Sequence, residues 1–278
     1  NRLQNFLEAP EVPDAENCKG EQDGTKPSVE VKTVDLFWPN SMKLLEGVDF
    51  TVPRGKNLTV IMGSVGTGKS GLISSLIGEL KPSTGSVKVY GSVAYASQVP
   101  WIRHATVREN ILFDKPYDPV RYGAVVQACS LLADFKAFKE SDESEIGEKG
   151  INLSGGQKAR VQLARALYAN AEVLIVDDPL SAVDAHVMQQ LLRALTHPYL
   201  VANTSVVLAT HQRAALPYAD KVIVLDDHKM EFHGPPLEYC MKYDIEMPER
   251  GEEVEELEDS HHEVKSLDSL SSLEEGAA

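Results

Sequence analysis

The run Gly63-Ser64-Val65-Gly66-Thr67-Gly68-Lys69-Ser70 constrains this chain more than any other feature. It matches G-x-x-x-x-G-K-S/T, a pattern that works only between a buried strand and the start of a helix. The flanks predict both elements. Asn57 to Met62 reads as a buried strand, and Leu72, Ile73, Leu76, Ile77 and Leu80 recur at helical spacing. Glycines at 63, 66 and 68 let the backbone come close to an anion with its N–H groups turned inward, and the helix start adds partial positive charge. Ser64, Val65, Thr67 and Gly71 complete the cradle, which predicts triphosphate binding. Lys69 is placed to reach the β- and γ-phosphates as a mobile point charge, and the Ser70 hydroxyl to enter a Mg²⁺ shell.

Val173-Leu174-Ile175-Val176-Asp177-Asp178 supplies the complementary half. Four apolar residues in a row fit a strand buried on both faces of a parallel sheet, and the acidic pair falls at its carboxyl end, where ligands of such sheets bind. Asp177 is the carboxylate expected to hold Mg²⁺, through water, and Asp178 is placed to orient or deprotonate an attacking water. Ser154 is placed to cap a helix running through Val161, Ala164 and Leu167, with Gly155 and Gly156 leaving its first turn bare for an anion.

These motifs sit within a longer set: Gly91-Ser92-Val93-Ala94-Tyr95-Ala96-Ser97-Gln98, Trp101, Arg108-Glu109-Asn110-Ile111-Leu112-Phe113, Gly147-Glu148-Lys149-Gly150, Leu153-Ser154-Gly155-Gly156-Gln157, Asp178-Pro179-Leu180-Ser181-Ala182-Val183-Asp184-Ala185-His186 and Thr210-His211. Together they closely resemble an ABC-transporter nucleotide-binding domain, and within that class the first such domain of the multidrug-resistance-associated, or subfamily C, exporters. The resemblance runs from about Val29 to Tyr243. It implies an α/β fold, a P-loop NTPase (RecA-like) core with an antiparallel β subdomain and an α-helical subdomain that presents the signature.

The resemblance also implies roles. ATP and Mg²⁺ are the expected ligands, with the metal held by Ser70, Gln98 and Asp177. Trp38 occupies the position of the adenine-stacking aromatic, with Phe37 expected to face the core. Gln98 matches the glutamine that contacts Mg²⁺ and the water while its loop senses membrane domains. His211 matches the switch histidine at the γ-phosphate. Ser154, Gly155, Gly156 and Gln157 match the signature that closes over ATP bound to the opposite domain, so the implied unit is a head-to-tail dimer holding two nucleotides. Ser181 to Asp184 resembles the loop crossing that interface. The implied setting is the cytosolic face of a membrane, attached to membrane domains.

One residue departs from the pattern: Asp178 stands where competent ABC sites carry glutamate. The carboxylate is one methylene shorter, on the order of 1 Å from a productive water contact, and a misplacement of that size can cost about 10²-fold in rate. ATP binding is expected to survive while hydrolysis at this site is slow. Two readings follow, a motor ATPase with one weak site, or a nucleotide-gated regulatory module that dimerises on ATP without useful turnover. A chromosome-maintenance or translation ATPase is disfavoured, since only 90 positions separate Gly63 from Leu153 and there is no second cassette.

Composition fits this picture. With 42% apolar residues in 278 the chain can bury a sizeable core. It contains no apolar run of about 18 residues, the length a membrane span needs. Cys18, Cys129 and Cys240 are few and widely spaced, which predicts free thiols rather than disulfides or a metal site. Of the net charge of −15, residues 249–278 carry −9, from eleven acidic and two basic side chains. That tail argues against nucleic-acid binding. Ser260, Ser271 and Ser272 each have a glutamate three positions on, as acid-directed kinase sites do; an inert solubilising linker is the alternative.

The expected organisation is a connector from a preceding membrane domain over 1–28, the nucleotide-binding domain over 29–243 with its helical lobe at about 99–170, and an acidic disordered linker over 244–278. The start at Asn1 without methionine suggests an excised segment. Short alternating strands in Val29 to Pro53 and Ser86 to Gln98 predict the antiparallel subdomain, and core strands are expected again at Val173, Ser205 and Val222.

Overall fold

The computed structural model describes residues 26–150 and 152–251. The expectations for the connector up to residue 25, for Cys18, for the linker beyond Gly251 and for its serines lie outside the described residues.

Strands β1 (Val29–Phe37), β2 (Lys43–Val52), β3 (Asn57–Met62), β4 (Thr84–Val89) and β5 (Val93–Ala96) precede a small ribbon of β6 (Ala105–Thr106) and β7 (Glu145–Ile146); β8 (Val173–Asp177), β9 (Ser205–Thr210), β10 (Lys221–Asp226) and β11 (Lys229–Gly234) follow. The helices are α1 (Lys69–Leu76), α2 (Val107–Leu112), α3 (Pro119–Ala128), α4 (Leu132–Ala137), α5 (Gly155–Tyr168), α6 (Ala185–Ala194) and α7 (Pro236–Lys242).

A six-stranded sheet in the order β11-β10-β3-β9-β8-β5 forms the centre, parallel throughout except for the β10–β11 hairpin. Both faces are covered, which is why β3, β8 and β9 read as continuous apolar runs. Alternate residues of β3 feed different cores. Leu58, Val60 and Met62 join α3, α5 and α6 on one side, and Ile61 joins α1 and the three-stranded antiparallel sheet β2-β1-β4 on the other.

Three sequence expectations need correction. Val93 to Ala96 is not part of the antiparallel subdomain. The chain turns at Gly91, φ +105°, where a Cβ would lie 2.5 Å from Glu172 Oε2, and β5 then pairs in parallel with β8 at the edge of the central sheet. The first helix stops at Leu76 rather than continuing to Leu80, because Gly78 takes φ 86°; Ile77 and Leu80 still pack on the core. Phe37 is exposed, not a core residue. Register shifts in β1, with Thr33 at φ 45°, leave Val34 and Leu36 facing inward.

The helical lobe is four helices, α2 to α5, gathered round Tyr122, Val125, Val126, Cys129 and Leu131. Cys129 and Cys240 are free and buried, and burial pushes the Cys129 thiol up to about 12, so it is inert at neutral pH. The body extends past Tyr243: Ile245 and Met247 pack on the larger core and the Arg250 guanidinium lies 4.7 Å from the Tyr218 ring centre. Among the described residues no helix is long and apolar enough to cross a membrane.

Candidate functional site

The carboxyl ends of β3, β8 and β9 converge, and the loops leaving them carry the chemistry. After β3 the backbone passes through Gly63 (φ 158°), Gly66 (φ 90°) and Gly68 (φ 100°). Gly63 has no room for a side chain, since a Cβ would lie 2.4 Å from Thr67 Oγ1 and 2.5 Å from the Leu225 carbonyl. A Cβ on Gly68 would meet Leu45 at 2.9 Å. The loop is therefore clamped from β10 and β2. Thr67 donates its hydroxyl to the Ser64 carbonyl at 3.0 Å, while Val65 at the tip is 94% exposed.

Gly68 caps α1 with no side chain, so the first N–H groups of the helix point into the cradle without a capping partner. Lys69 Nζ donates to the carbonyls of Gly63 at 2.7 Å and Ser64 at 2.8 Å, folding the ammonium over the loop. Burial lowers the Lys69 pKa, opposed by the charges of Asp178 and Asp177. Gly71 is packed under Leu44, at 2.8 Å from a built Cβ.

Asp177, 5% exposed, ends β8 beside this loop, with Ser70 among the groups acting on its carboxylate. Its pKa is raised, chiefly by burial and further by Asp178, with Ser70 and Lys69 pulling the other way. Two hard oxygen donors, a buried carboxylate held high, a cationic side chain and a glycine cradle fit a Mg²⁺-phosphate group. Tyr95 of β5 faces the same charges. Its phenol is pushed up to about 12 by burial, with Asp177 and Glu79 adding, so it remains a neutral donor.

Asp178 takes a left-handed backbone, φ 42° and ψ 52°. Its Oδ1 accepts from the Thr210 hydroxyl at 3.1 Å and its Oδ2 lies 3.0 Å from His211 Nδ1. Both carboxylate oxygens are thus engaged by the end of β9. Thr210, fully buried, is a member of this group that sequence reasoning gave no role; a hydroxyl directly before His211 is the signal that could have found it. Gln98 is exposed, two residues beyond β5 at the same sheet end. Trp38 is half-buried beyond β1 and packs on the smaller core.

The Ser154 group lies elsewhere, at the start of α5. Ser154 accepts from Gln157 N at 3.2 Å and Gln157 Oε1 accepts from Ser154 N at 2.8 Å, a complete capping box. The other end of the Gln157 amide donates to Asp134 at 2.9 Å, and Asp134 pairs with Arg160 at 2.9 Å. Gly155 faces open space. Among the described residues no hydrogen bond joins this group to the Lys69 loop. A cavity of about 510 Å³ opens beside that loop, lined by Gly63, Val65, His211, Arg213, Glu231 and Tyr239 among others.

Residues 45–181 match the ABC transporter family. The chain is 44% identical, over 74% of its length, to ABC transporter C family member 8 of Dictyostelium discoideum, of which it spans 13%. It is 43% identical over 84% of its length to Multidrug resistance protein mrp-7 of Caenorhabditis elegans, spanning 16% of that protein. To ATP-binding cassette sub-family C member 3 of Homo sapiens it is 41% identical over 84%, spanning 15%. ABC domains as a class bind and hydrolyse ATP with Mg²⁺. With the phosphate cradle, the acidic strand end and the capped signature helix all in place, the chain belongs to the ABC transporter family, among its subfamily C members.

Proposed function

We propose that this chain is the first nucleotide-binding domain of an exporter of the multidrug-resistance-associated type, and that its own ATP site is slow. Mg·ATP occupies the cradle at Gly63 to Gly71, with Lys69 on the terminal phosphates and Ser70, Asp177 and Gln98 toward the metal. Bound Mg²⁺ neutralises phosphate charge. Trp38 stacks on the adenine. The Ser154 to Gln157 helix start serves a second nucleotide-binding domain in a head-to-tail pair, which fits its separation from the Lys69 loop in the hydrogen-bond network.

The observation that carries this reading is the state of Asp178. A general base needs a carboxylate lone pair aimed at the water, and both oxygens of Asp178 are turned toward partners at the end of β9, Thr210 and His211. Short reach and these competing bonds act in the same direction. The phosphate cradle is unaffected, so binding persists. An exposed aromatic group after Gln98 supports attachment to membrane domains at the cytosolic face: Val99 is 80% and Trp101 56% exposed, and Trp101 and Phe113 are held edge to face at 5.9 Å around the Arg165 guanidinium.

The test is Mg·ATP binding and steady-state hydrolysis by this chain, alone and mixed with the second nucleotide-binding domain. Tight binding, little turnover alone and stimulation on mixing are expected; absence of ATP binding overturns the reading. The engaged Asp178 equally favours a second reading, a regulatory module that dimerises on ATP and leaves the mixed pair no faster than the partner alone.

A further inference from the structure

The hydrogen bonds around Asp178 close into a ring. Gln212 N donates to Thr210 Oγ1 at 3.1 Å, and Thr210 Oγ1 donates to Asp178 Oδ1 at 3.1 Å. Asp178 Oδ2 meets His211 Nδ1 at 3.0 Å, and His211 Nε2 meets the Gln212 side-chain nitrogen at 3.2 Å. Proton positions follow from the chemistry of the partners. An ionised carboxylate only accepts, so Nδ1 carries the proton; an amide NH₂ only donates, so Nε2 offers its lone pair. With the Gln212 amide in this orientation, the imidazole carries its proton on Nδ1 and presents a lone pair at Nε2.

We infer that Gln212 is a positioning residue that caps His211 Nε2 and so withholds it from the γ-phosphate. A phosphate oxygen needs a proton donor, and the capped ring has none to give on that side. Moving the proton from Nδ1 to Nε2 would set a bare lone pair against Asp178. Engagement therefore requires Nε2 to gain a proton while the Gln212 amide leaves or flips to present its oxygen. Asp178 stays hydrogen-bonded to Nδ1 through this change and stabilises the imidazolium. Among the described residues His211 shares the adjoining cavity with the charged groups Arg213, Asp226 and Glu231, and Lys69 and Asp177 are electrostatically coupled to Asp178. Diphosphate has no oxygen at that position, so the cap acts on ATP and not on ADP. Gln212 thus sets how strongly this site prefers ATP over ADP.

The inference rests on the proposed contact between His211 and the γ-phosphate, so the experiment separates the two. Mg·ATP and Mg·ADP affinities of the 278-residue chain are measured for the native sequence, Gln212→Met and His211→Ala. Methionine keeps the length of glutamine and removes the donor. Removing one net hydrogen bond to the neutral ring should raise the ATP-to-ADP affinity ratio about three- to tenfold, with ADP affinity unchanged. His211→Ala should lower that ratio. If it does not, the γ-phosphate contact is wrong; if it does and Gln212→Met leaves the ratio unchanged, the cap is wrong. Should Gln212→Met fail to fold, ¹⁵N NMR of His211 in the native nucleotide-free chain, at a pH where the ring holds a single proton, decides. Protonated Nδ1 with bare Nε2 supports the cap, and protonated Nε2 overturns it.

Discussion

A Cβ added at Gly156 would lie 3.0 Å from the carbonyl oxygen of Ala182, so the first turn of α5 rests directly on the loop that follows Asp178. Gly155, one residue earlier, faces open space. The two glycines should therefore respond differently. Gly156→Val crowds the Ala182 carbonyl and should lower stability by about 1–3 kcal/mol, whereas Gly155→Ala should change it by less than about 0.5 kcal/mol. Both should reduce hydrolysis in the mixed pair, because each covers the bare helix start. Thermal unfolding beside partner-stimulated turnover separates the effects, and equal destabilisation by the two would show that the Gly156 contact is slack.

Lys69 donates two hydrogen bonds to its own loop before any nucleotide arrives. Lys69→Met removes a charged donor facing phosphate and should weaken Mg·ATP binding about 10- to 100-fold. Calorimetric titration reads it directly. Affinity within about twofold of native would place the triphosphate somewhere other than this loop.

The raised pKa of Asp177 gives a pH dependence with a definite sign. Its folded value lies above the ordinary 3.8, mainly through burial, so the free folded chain binds more protons than the unfolded one across the window just above 3.8. This group's contribution to stability accordingly falls as pH rises through that window and recovers as pH drops. Metal binding needs the ionised form, so Mg·ATP affinity should move oppositely and decline as pH is lowered into the window, by up to about tenfold per unit. Asp177→Asn should abolish the decline; its persistence would assign the titration to another group.

The chain revealed its chemistry more completely than its topology. The Gly63 to Ser70 loop needs glycines where backbone and neighbours leave no space, and that requirement is written in residue types at fixed spacing. Ser154 and Gln157 are similarly local, three apart, and their reciprocal capping follows from that spacing. The assignment of Val93 to Ala96 was not legible, because a four-residue alternating run looks the same in either sheet; the choice is made by the Gly91 turn and by pairing with residues 173–176, about 80 positions away. Phe37 was misplaced for a related reason, since the irregularity at Thr33 moves the inward face of β1 without a glycine or proline to announce it. The Thr210 and Gln212 contacts to Asp178 and His211 depend on side-chain directions at a strand end, which periodicity does not encode.

Asp178→Glu tests whether reach alone limits hydrolysis. The longer side chain cannot keep both bonds of the shorter one from the same left-handed backbone, so one oxygen should be released toward the nucleotide. Single-turnover cleavage in a full transporter should rise about 10- to 100-fold with ATP affinity unchanged. No gain at unchanged affinity would mean that Asp178 is not what slows the site.

The helical lobe depends on Asp142, which binds Arg108 through Nε at 2.8 Å and Nη2 at 3.0 Å and accepts the Tyr122 hydroxyl at 2.7 Å. Asp142 is 7% exposed and Tyr122 5%, so these groups have little water to fall back on. Arg108 starts from α2, Tyr122 from α3, and the Asp142 segment leads into β7 and on toward Ser154, so one carboxylate ties together the pieces that support the signature helix. Asp142→Ala leaves a partly buried guanidinium and a buried hydroxyl without their acceptor. Glu143 also pairs with Arg108 and can retain part of its charge compensation, so the expected loss is about 2–3 kcal/mol, below the range for a fully buried broken pair. Tyr122→Phe, which removes only the hydroxyl, should cost about 1 kcal/mol. Hydrogen exchange should show the loss concentrated in α2, α3 and the start of α5, while Mg·ATP affinity at Lys69 stays near native. A loss spread evenly over the central sheet would instead mean that the lobe and the sheet unfold as one unit.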